Sequence, residues 1–217
     1  MISTEETQKQ ASVTALVLSG LILWLALVFV LGAGGAFARA PGRLPLPILI
    51  GATGPIIAFV TMFWLSPTFR DFVLSLDLRL MTGIQAWRFA GLGFLALYVH
   101  GVLPGLFAWP AGVGDIVIGV TAPFVLLALI RRPSFAGSRL FTVWNQLGIL
   151  DLAVAVGTGA LSSALAIGVY GEITTGPMAR LPLVLIPAYF VPLFVMLHIA
   201  ALFQARQLAA PSLGIGR

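Results

Sequence analysis

The sequence predicts an all-α integral membrane protein, a compact bundle of about six transmembrane helices, and three observations predict it. First, 59% of the 217 residues are hydrophobic and only 9% are charged, whereas soluble domains carry roughly 25% charged residues. Second, six apolar stretches each approach the length of about 20 residues that a helix needs to cross the hydrocarbon core. Third, the 24 glycines suit helices that pack closely in lipid. We therefore expect the lipid bilayer to be the solvent and the first partner of this chain.

The apolar stretches place the crossings within one transmembrane domain over residues 1–217. The predicted spans are 12–33, 44–65, 86–107, 112–130, 141–166 and 181–204. The first stretch has a second interpretation as a cleaved signal peptide, because Ala38-Arg39-Ala40 resembles a small-residue cleavage site. Its apolar run is longer than a signal core, and its leader carries Glu5 and Glu6 rather than a basic cluster. We therefore expect a first span.

The distribution of basic residues predicts the orientation, since Lys and Arg are enriched in short cytoplasmic loops. Nine basic residues fall in segments on one side of the predicted bundle and three on the other. The nine are Lys9, Arg70, Arg79, Arg88, Arg131, Arg132, Arg139, Arg206 and Arg217, and the three are Arg39, Arg43 and Arg180. The sequence therefore predicts a multi-pass protein of the cell (inner or plasma) membrane with both termini in the cytoplasm.

The stretch between the second and third spans predicts an amphipathic helix over residues 67–81, lying in the membrane surface. Ser66-Pro67 is typical of a helix start, and apolar residues then recur on one helical face. The run from residue 74 to residue 80 also alternates between apolar and polar residues, which is the period of a strand. We favour the helix.

Two hairpins of the sequence resemble each other. Arg43-Leu44-Pro45-Leu46 is followed by Pro55 ten residues after the first proline, and Arg180-Leu181-Pro182-Leu183 is followed in the same way by Pro192. Many transporters are built from repeats with a site at the repeat interface, although chance recurrence in a chain so rich in these residues is the alternative. In either case Pro55 and Pro192 each remove a backbone hydrogen bond within a span, and we expect both to kink or gate it.

Asp151 is the strongest functional pointer in the sequence. It falls about 15 Å into the fifth predicted span by helical rise, near the bilayer midplane, where an ionisable residue is costly and usually faces the bundle interior. Gly148, Ala155, Thr158 and Ser162 share its helical face. We expect an ion, proton or substrate site here. The structural alternative is a protonated aspartate that hydrogen-bonds between helices.

Three further polar residues join this candidate binding site. His100 is predicted in the outer half of the third span, and Asp115 at the start of the fourth, so a tight hairpin would bring them near one another. A carboxylate in the first turn of a helix also has a purely structural explanation, because free N–H groups and the helix dipole favour it there. Asn145, in the inner part of the fifth span, would continue a polar path from Asp151.

Two other polar residues are assigned structural roles. Arg88 is predicted at the cytoplasmic end of the third span, where its side chain would reach the interface as an anchor. His198 is predicted in the inner half of the sixth span as a helix-packing residue. By helical rise, His100 lies about 10 Å and His198 about 25 Å below the outer surface. This difference in depth argues against one haem held by both.

Several classes of function have no sequence signal. There is no phosphate-binding glycine loop followed by lysine, no His-Glu-x-x-His, no Gly-x-Ser-x-Gly and no nucleic-acid module. Cysteine is absent, which excludes disulfides and thiolate metal sites. The sequence does not indicate which cofactor, if any, is bound, and it predicts no metal site.

Three hypotheses remain open. The first is a small transporter or an ion- or proton-coupled permease with a small molecule or ion as its ligand, whose site includes Asp151, His100, Asp115 and Asn145. The second is an intramembrane enzyme, or a subunit that binds a cofactor, metal or pigment through His100, Asp115 and Asp151. The third is a structural subunit of a homo-oligomer or larger membrane complex, in which the polar residues join helices. The midplane aspartate favours the first.

Overall fold

A computed structural model describes residues 4–209 and confirms an all-α bundle with six helices long and apolar enough to cross a membrane. From the first to the sixth, the spans are Ala11–Ala33, Leu46–Leu65, Leu78–Val99, Gly105–Arg131, Arg139–Leu165 and Ile186–Ala209. The first belongs to a longer helix, Thr4–Ala33. Because consecutive spans run in opposite directions, the loops that connect them lie alternately on the two sides of the bundle.

We name these two sides by what they hold. The termini side holds residues 66–77 and 132–138 and the ends of the described chain, and the loop side holds residues 34–45, 100–104 and 166–185. Hydrogen bonds attach two of the loop-side segments to the end of the fifth span. The amide of Gly42 donates to the carbonyl of Ser163 at 3.2 Å, and the hydroxyl of Thr175 donates to the carbonyl of Gly159 at 3.2 Å.

The third and fourth spans are the elements that the sequence misplaces. The fourth begins at Gly105 and not at residue 112, so Asp115 is its eleventh residue and does not lie in its first turn. The third span is displaced at both ends. It covers Leu78–Val99 and not 86–107, because the Asp77 side chain caps its first turn and Pro104 starts the fourth span at Gly105. The span is also not one continuous α-helix. A 3₁₀ segment, Gln85–Gly91, separates the α-helices Leu78–Ile84 and Leu92–Val99. Stretches of 3₁₀ within a helix often mark hinges or strained sequence.

Glycines allow the third and fourth spans to pack with their backbones nearly touching. A Cβ on Gly119 would overlap the backbone of Phe89, and one on Gly112 would come within 2.8 Å of the Leu95 side chain. Small residues permit this close approach in membranes, where packing takes the place of the hydrophobic effect. The 3₁₀ segment is therefore held tightly against the fourth span.

The predicted surface helix is present but shorter than expected, covering Pro67–Ser75 and not 67–81. The Ser66 side chain accepts from the amide of Phe69 at 3.3 Å and caps it. The end of this segment is attached to the sixth span, because Gln204 Nε2 donates to the carbonyls of Val73 and Leu76 at 3.0 and 2.9 Å. Residues 76–77 are extended but form no strand, and the helix that follows belongs to the third span.

The two prolines expected to kink their spans have different surroundings. Pro55 lies inside the α-helix Leu46–Leu65, which continues through it. Pro192 lies at the start of the α-helix Val191–Ala209, directly after a π-helical turn, Ile186–Phe190. The sixth span therefore begins at Ile186 rather than at residue 181. A π-helical turn widens the helix and is frequent at functional sites.

Candidate functional site

Arg88 is the centre of the buried polar site. Ten residues of its span precede it and eleven follow it, so it lies at the middle of the membrane-spanning region. Its side chain is 0% exposed. The expectation of an interfacial anchor is therefore wrong, and the reason is the shifted third span. A cation at this depth is costly unless it is paired.

Two carboxylates from neighbouring spans pair with this guanidinium. Arg88 Nε donates to Asp115 Oδ1 at 2.7 Å, and Arg88 Nη2 donates to Asp151 Oδ2. We call these three residues the ion-pair cluster. The carboxylates are 15% and 13% exposed respectively, whereas the arginine is sealed. The cluster thus presents acidic groups to its surroundings and contains one more acidic group than basic.

A chain of hydrogen bonds continues from Arg88 toward the termini side. Arg88 Nη1 donates to the carbonyl of Gly148 at 3.3 Å and lies 3.2 Å from His198 Nε2. Because a guanidinium only donates, Nε2 accepts and Nδ1 carries the proton. Nδ1 then donates to Asn145 Oδ1 at 2.9 Å, and Asn145 Nδ2 donates to the Phe141 carbonyl at 2.9 Å. Both ring nitrogens of His198 are thereby engaged.

Trp144 holds the histidine ring from one side. Its indole lies edge-on to the His198 ring, with centroids 5.4 Å apart, and its Nε1 donates to Thr121 Oγ1 at 2.9 Å. The fifth span therefore supplies Trp144, Asn145 and Asp151 to the site, while the fourth supplies Asp115 and the hydroxyl that fixes the indole. The polar residues are oriented by partners on several helices.

Glycines make room for the buried side chains. A Cβ on Gly114 would overlap the carboxylate of Asp151, and a Cβ on Gly148 would overlap the imidazole of His198. On the third span, a Cβ on Gly91 would overlap the side chain of Asp115. Each glycine faces a member of the polar site across a helix contact, so the absence of a side chain there is what allows the polar groups to meet.

A cavity of about 120 Å³ leads from the loop side to Asp115. Its walls are largely apolar and come from the second, third, fourth, fifth and sixth spans and from the loop-side segments. The π-helical turn contributes Ile186 and Pro187, and Val191 follows them. The other lining residues include Phe37, Ile48, Leu49, Phe94, Phe107, Leu152, Ala155, Val156, Met178 and, nearer the loop side, Arg39, Ser163, Thr175 and Arg180.

Asp115 has a free acceptor toward this cavity. Its Oδ1 is occupied by Arg88 Nε, and within residues 4–209 no hydrogen bond to its Oδ2 is found, although that oxygen is not sealed from solvent.

On the opposite side of Arg88, Gln85 is buried, its Nε2 donates to the Phe194 carbonyl at 3.4 Å, and its Oε1 has no partner among the described residues. Polar groups thus lie on both sides of the cluster.

The structure brings together some of the residues predicted from sequence and separates others. Asp115 and Asp151 meet at Arg88, and Asn145 reaches them through His198. His100 does not join them, because it is exposed at the loop-side end of the third span. Of the two predicted gating prolines, Pro192 follows Val191, which lines the cavity, whereas Pro55 is not among the lining residues.

Arg88 and His198 are the site residues that sequence reasoning missed, and a signal for Arg88 was available. A third span that starts at Leu78 places Arg88 at its centre, and two otherwise unpaired aspartates at similar depth are natural partners for a buried arginine. His198 carries no such signal, because its role depends on two nitrogens whose partners come from the third and fifth spans. Within the described residues, no group of three or more His, Asp or Glu side chains could hold a metal ion.

Comparison with known proteins identifies the family of this chain. Residues 45–206 match the family model described as domain of unknown function DUF8737. The match begins just before the second span and ends within the sixth, so it includes the ion-pair cluster, His198 and Asn145. No curated protein and no solved structure matches.

Proposed function

The chain belongs to the DUF8737 family, and from its buried site we propose that it is a small membrane transporter coupled to protons or cations. The ion-pair cluster is the proposed coupling site, and the loop-side cavity is the proposed route to it. One observation supports this most strongly: two carboxyl groups share a single guanidinium at mid-membrane, and one of them forms the floor of an open cavity.

The charge balance of the cluster explains why it would bind a proton or cation. With both aspartates ionised, the cluster has a net negative charge, and an unbalanced charge at this depth is costly. A proton or small cation at Asp115 or Asp151 restores neutrality. Its release returns the negative charge, so occupancy of the site changes the electrostatics of the cavity floor. Many pumps and transporters use intramembrane carboxylates in this way.

Irregular helix segments next to the site supply the means of changing its access. Arg88 lies within the 3₁₀ segment Gln85–Gly91, and the π-helical turn Ile186–Phe190 contributes to the cavity wall. Both kinds of segment are typical of places where helices rearrange. We propose that the sixth span, through this turn and Pro192, and the second span, through Pro55, move relative to the third and fourth spans. Such movement would close the cavity and open the path through His198 and Asn145.

The distribution of basic residues supports one orientation for this transporter. We propose that the termini side faces the cytoplasm, since it holds most of the Lys and Arg residues. The cavity would then open to the outside of the cell membrane. The polar chain from Arg88 to the Phe141 carbonyl would point inward.

Solid-supported-membrane electrophysiology tests the coupling site without knowledge of the transported solute. Proteoliposomes adsorbed to the sensor receive concentration jumps of protons or of Na⁺, and an ion that enters a mid-membrane site displaces charge. We expect a transient current for at least one of the two ions. Asp115→Asn and Asp151→Asn should each abolish it, because the amide keeps the shape of the side chain and removes its charge.

Asp71→Asn is the matched control, since Asp71 is exposed on the short helix outside the spans. It should leave the current unchanged. Size-exclusion chromatography of every variant verifies that it is folded. Absence of a transient current in the wild-type protein for both ions would contradict the proposal, as would full currents in both cluster variants.

A further inference from the structure

Two unpaired arginines stand at the mouth of the cavity. Arg39 and Arg180 both line it and are exposed, and neither forms an ion pair within residues 4–209. Glu172, which also lies on the loop side, does not line the cavity, and its carboxylate accepts from the amides of Ile167 and Gly168 at 2.9 and 2.6 Å. The mouth is therefore cationic.

This placement is unusual for the side of the bundle on which it occurs. The loop side holds only three basic residues, Arg39, Arg43 and Arg180, and two of the three line the cavity. On a side that is otherwise poor in basic residues, their concentration at one opening indicates a role in attracting or holding an anionic group.

The opposite end of the cavity has the opposite character. The floor is Asp115, whose Oδ2 is free to accept, while Arg88 is sealed behind it and cannot reach a ligand. A group bound there must donate hydrogen bonds, and a cation is favoured because the cluster has one more acidic group than basic. The floor selects a cationic donor, and the mouth selects an anion.

The distance between the two ends exceeds that within an ordinary amino acid head group. Along the fifth span, the lining residues run from Leu152 to Ser163, which is about 16 Å between Cα atoms by helical rise. Because the long side chains of Arg39 and Arg180 carry their charges away from their own backbones, the two charges of a bound ligand lie closer together than this. Ser163 lies at the mouth, where its hydroxyl donates to the Arg43 carbonyl at 3.1 Å. The wall between the ends is apolar, with Phe94 and Phe107 among its residues.

We propose that the ligand of this cavity is a zwitterion with an anionic group at one end, an ammonium group at the other and an apolar chain between them. The assignment rests on the proposed function and specifies the solute for that same site. The ammonium group binds Asp115, the anionic group binds Arg39 and Arg180, and the chain packs against the apolar wall. An α-amino acid does not fit this pattern, since its two charges are adjacent.

Isothermal titration calorimetry on the protein in nanodiscs tests this with simple probes. The probes are aminooctanoate, which carries an amine and a carboxylate at its two ends, octylamine and octanoate, which each carry one of these groups, and leucine. We expect aminooctanoate to bind at least about tenfold more tightly than either single-charge probe, since each charged hydrogen bond contributes roughly a tenfold gain. Leucine should bind no better than octanoate.

Two variants assign the two ends, and a third serves as their control. Asp115→Asn should weaken aminooctanoate and octylamine but not octanoate, and the double variant Arg39→Gln/Arg180→Gln should weaken aminooctanoate and octanoate but not octylamine. Arg132→Gln is the control, because Arg132 is an exposed arginine on the termini side, away from this cavity, and this variant should bind aminooctanoate as the wild type does.

Equal binding of aminooctanoate and octanoate would overturn the proposal in favour of an anionic amphiphile, and equal binding of aminooctanoate and octylamine would overturn it in favour of a cation. Failure of all four probes to bind would also overturn it. Because the ion-jump currents require no solute, their persistence in that case would show that only the ligand assignment fails and that the coupling site stands.

Discussion

Arg88 and Asp115 lie 27 residues apart in the chain, yet Arg88 Nε and Asp115 Oδ1 meet at 2.7 Å in the middle of the bundle. Close packing of the third and fourth spans makes this possible, because Gly91 and Gly119 let the two backbones approach each other. Asp151 reaches the same guanidinium from the fifth span. One buried cation therefore ties three helices together, and it does so where an open cavity ends.

The glycines that face the polar site should be intolerant of alanine. In Gly148→Ala the new methyl group would overlap the His198 ring, and in Gly114→Ala it would overlap the Asp151 carboxylate. We expect each to lower the free energy of unfolding by about 1–3 kcal/mol, as overpacking does. Thermal unfolding in detergent, followed by tryptophan fluorescence, measures this.

Gly157→Ala is the control for both variants, since it lies on the fifth span and a Cβ there would meet nothing within 4 Å. It should be neutral or slightly stabilising, because alanine favours the helix. Equal destabilisation by all three substitutions would show that the close contacts at Gly114 and Gly148 are not the cause.

The hydrogen bond between His198 and Asn145 should be measurable as an energetic coupling between the sixth and fifth spans. His198 Nδ1 donates to Asn145 Oδ1, so Asn145→Leu leaves a buried donor without its acceptor. We expect this to lower the free energy of unfolding by about 1–3 kcal/mol. A double-mutant cycle with His198→Leu isolates the interaction. Thr158→Val serves as the control, since the Thr158 hydroxyl bonds only to carbonyls of its own helix. Additive effects of the two leucine variants would contradict the link.

The junction between the short helix and the sixth span should depend on Gln204. Its Nε2 donates to the carbonyls of Val73 and Leu76, so Gln204→Leu leaves two carbonyls without that donor. We expect faster hydrogen exchange in peptides covering residues 72–80, because local opening requires less free energy once these bonds are lost. Exchange in the fourth span is the internal reference. Unchanged exchange near Leu76 would show that other contacts hold the segment.

Cysteine labelling should detect the cavity, and the chain suits it because it contains no cysteine. Ser163→Cys lies at the mouth and Ala155→Cys deeper on the same wall, so a membrane-impermeant thiosulfonate added from the loop side should modify the first quickly and the second more slowly. Leu150→Cys should not react, although Leu150 is 57% exposed, because hydrocarbon around it suppresses thiolate formation.

The same experiment tests the orientation. In sealed vesicles of known sidedness, labelling of Ser163→Cys from the outside supports cytoplasmic termini. Labelling only from the cytoplasmic face would reverse the orientation, and equal reaction of Ala155→Cys and Leu150→Cys would contradict a cavity that is open to solvent.

Hydropathy was sufficient to predict the six-span bundle, because the length of an apolar stretch reports directly on the thickness of the bilayer. It did not place the third span. The stretch from Leu78 includes Arg79 and Arg88, which lower its hydropathy, whereas the uncharged turn after Val99 extends the apolar run beyond the true end. The predicted start of this span lies eight residues too late. The prediction therefore puts Arg88 at the end of the span, although it lies at the centre, and puts His100 inside the span, although it lies at the exposed end.

The candidate site was predicted in part, for reasons that differ between residues. Asp115 and Asp151 were recognisable because a carboxyl group inside a span needs a partner. That partner could not be assigned, since the pairing depends on which faces of three helices meet. The role of His198 depends on contacts with Arg88 and Asn145, and the π-helical turn before Pro192 has no local sequence pattern that distinguishes it from a proline kink.

The most direct test of the buried ion-pair cluster is thermal unfolding in nanodiscs of Arg88→Gln and of the triple variant Arg88→Gln/Asp115→Asn/Asp151→Asn. Loss of the cation alone leaves two carboxylates without a counter-charge and should lower the free energy of unfolding by about 3–5 kcal/mol. Removing all three charges should restore more than half of that lost free energy. Arg79→Gln, at an exposed position of the same span, should change little. An Arg88→Gln variant as stable as the wild type, or a triple variant less stable than Arg88→Gln, would contradict the cluster.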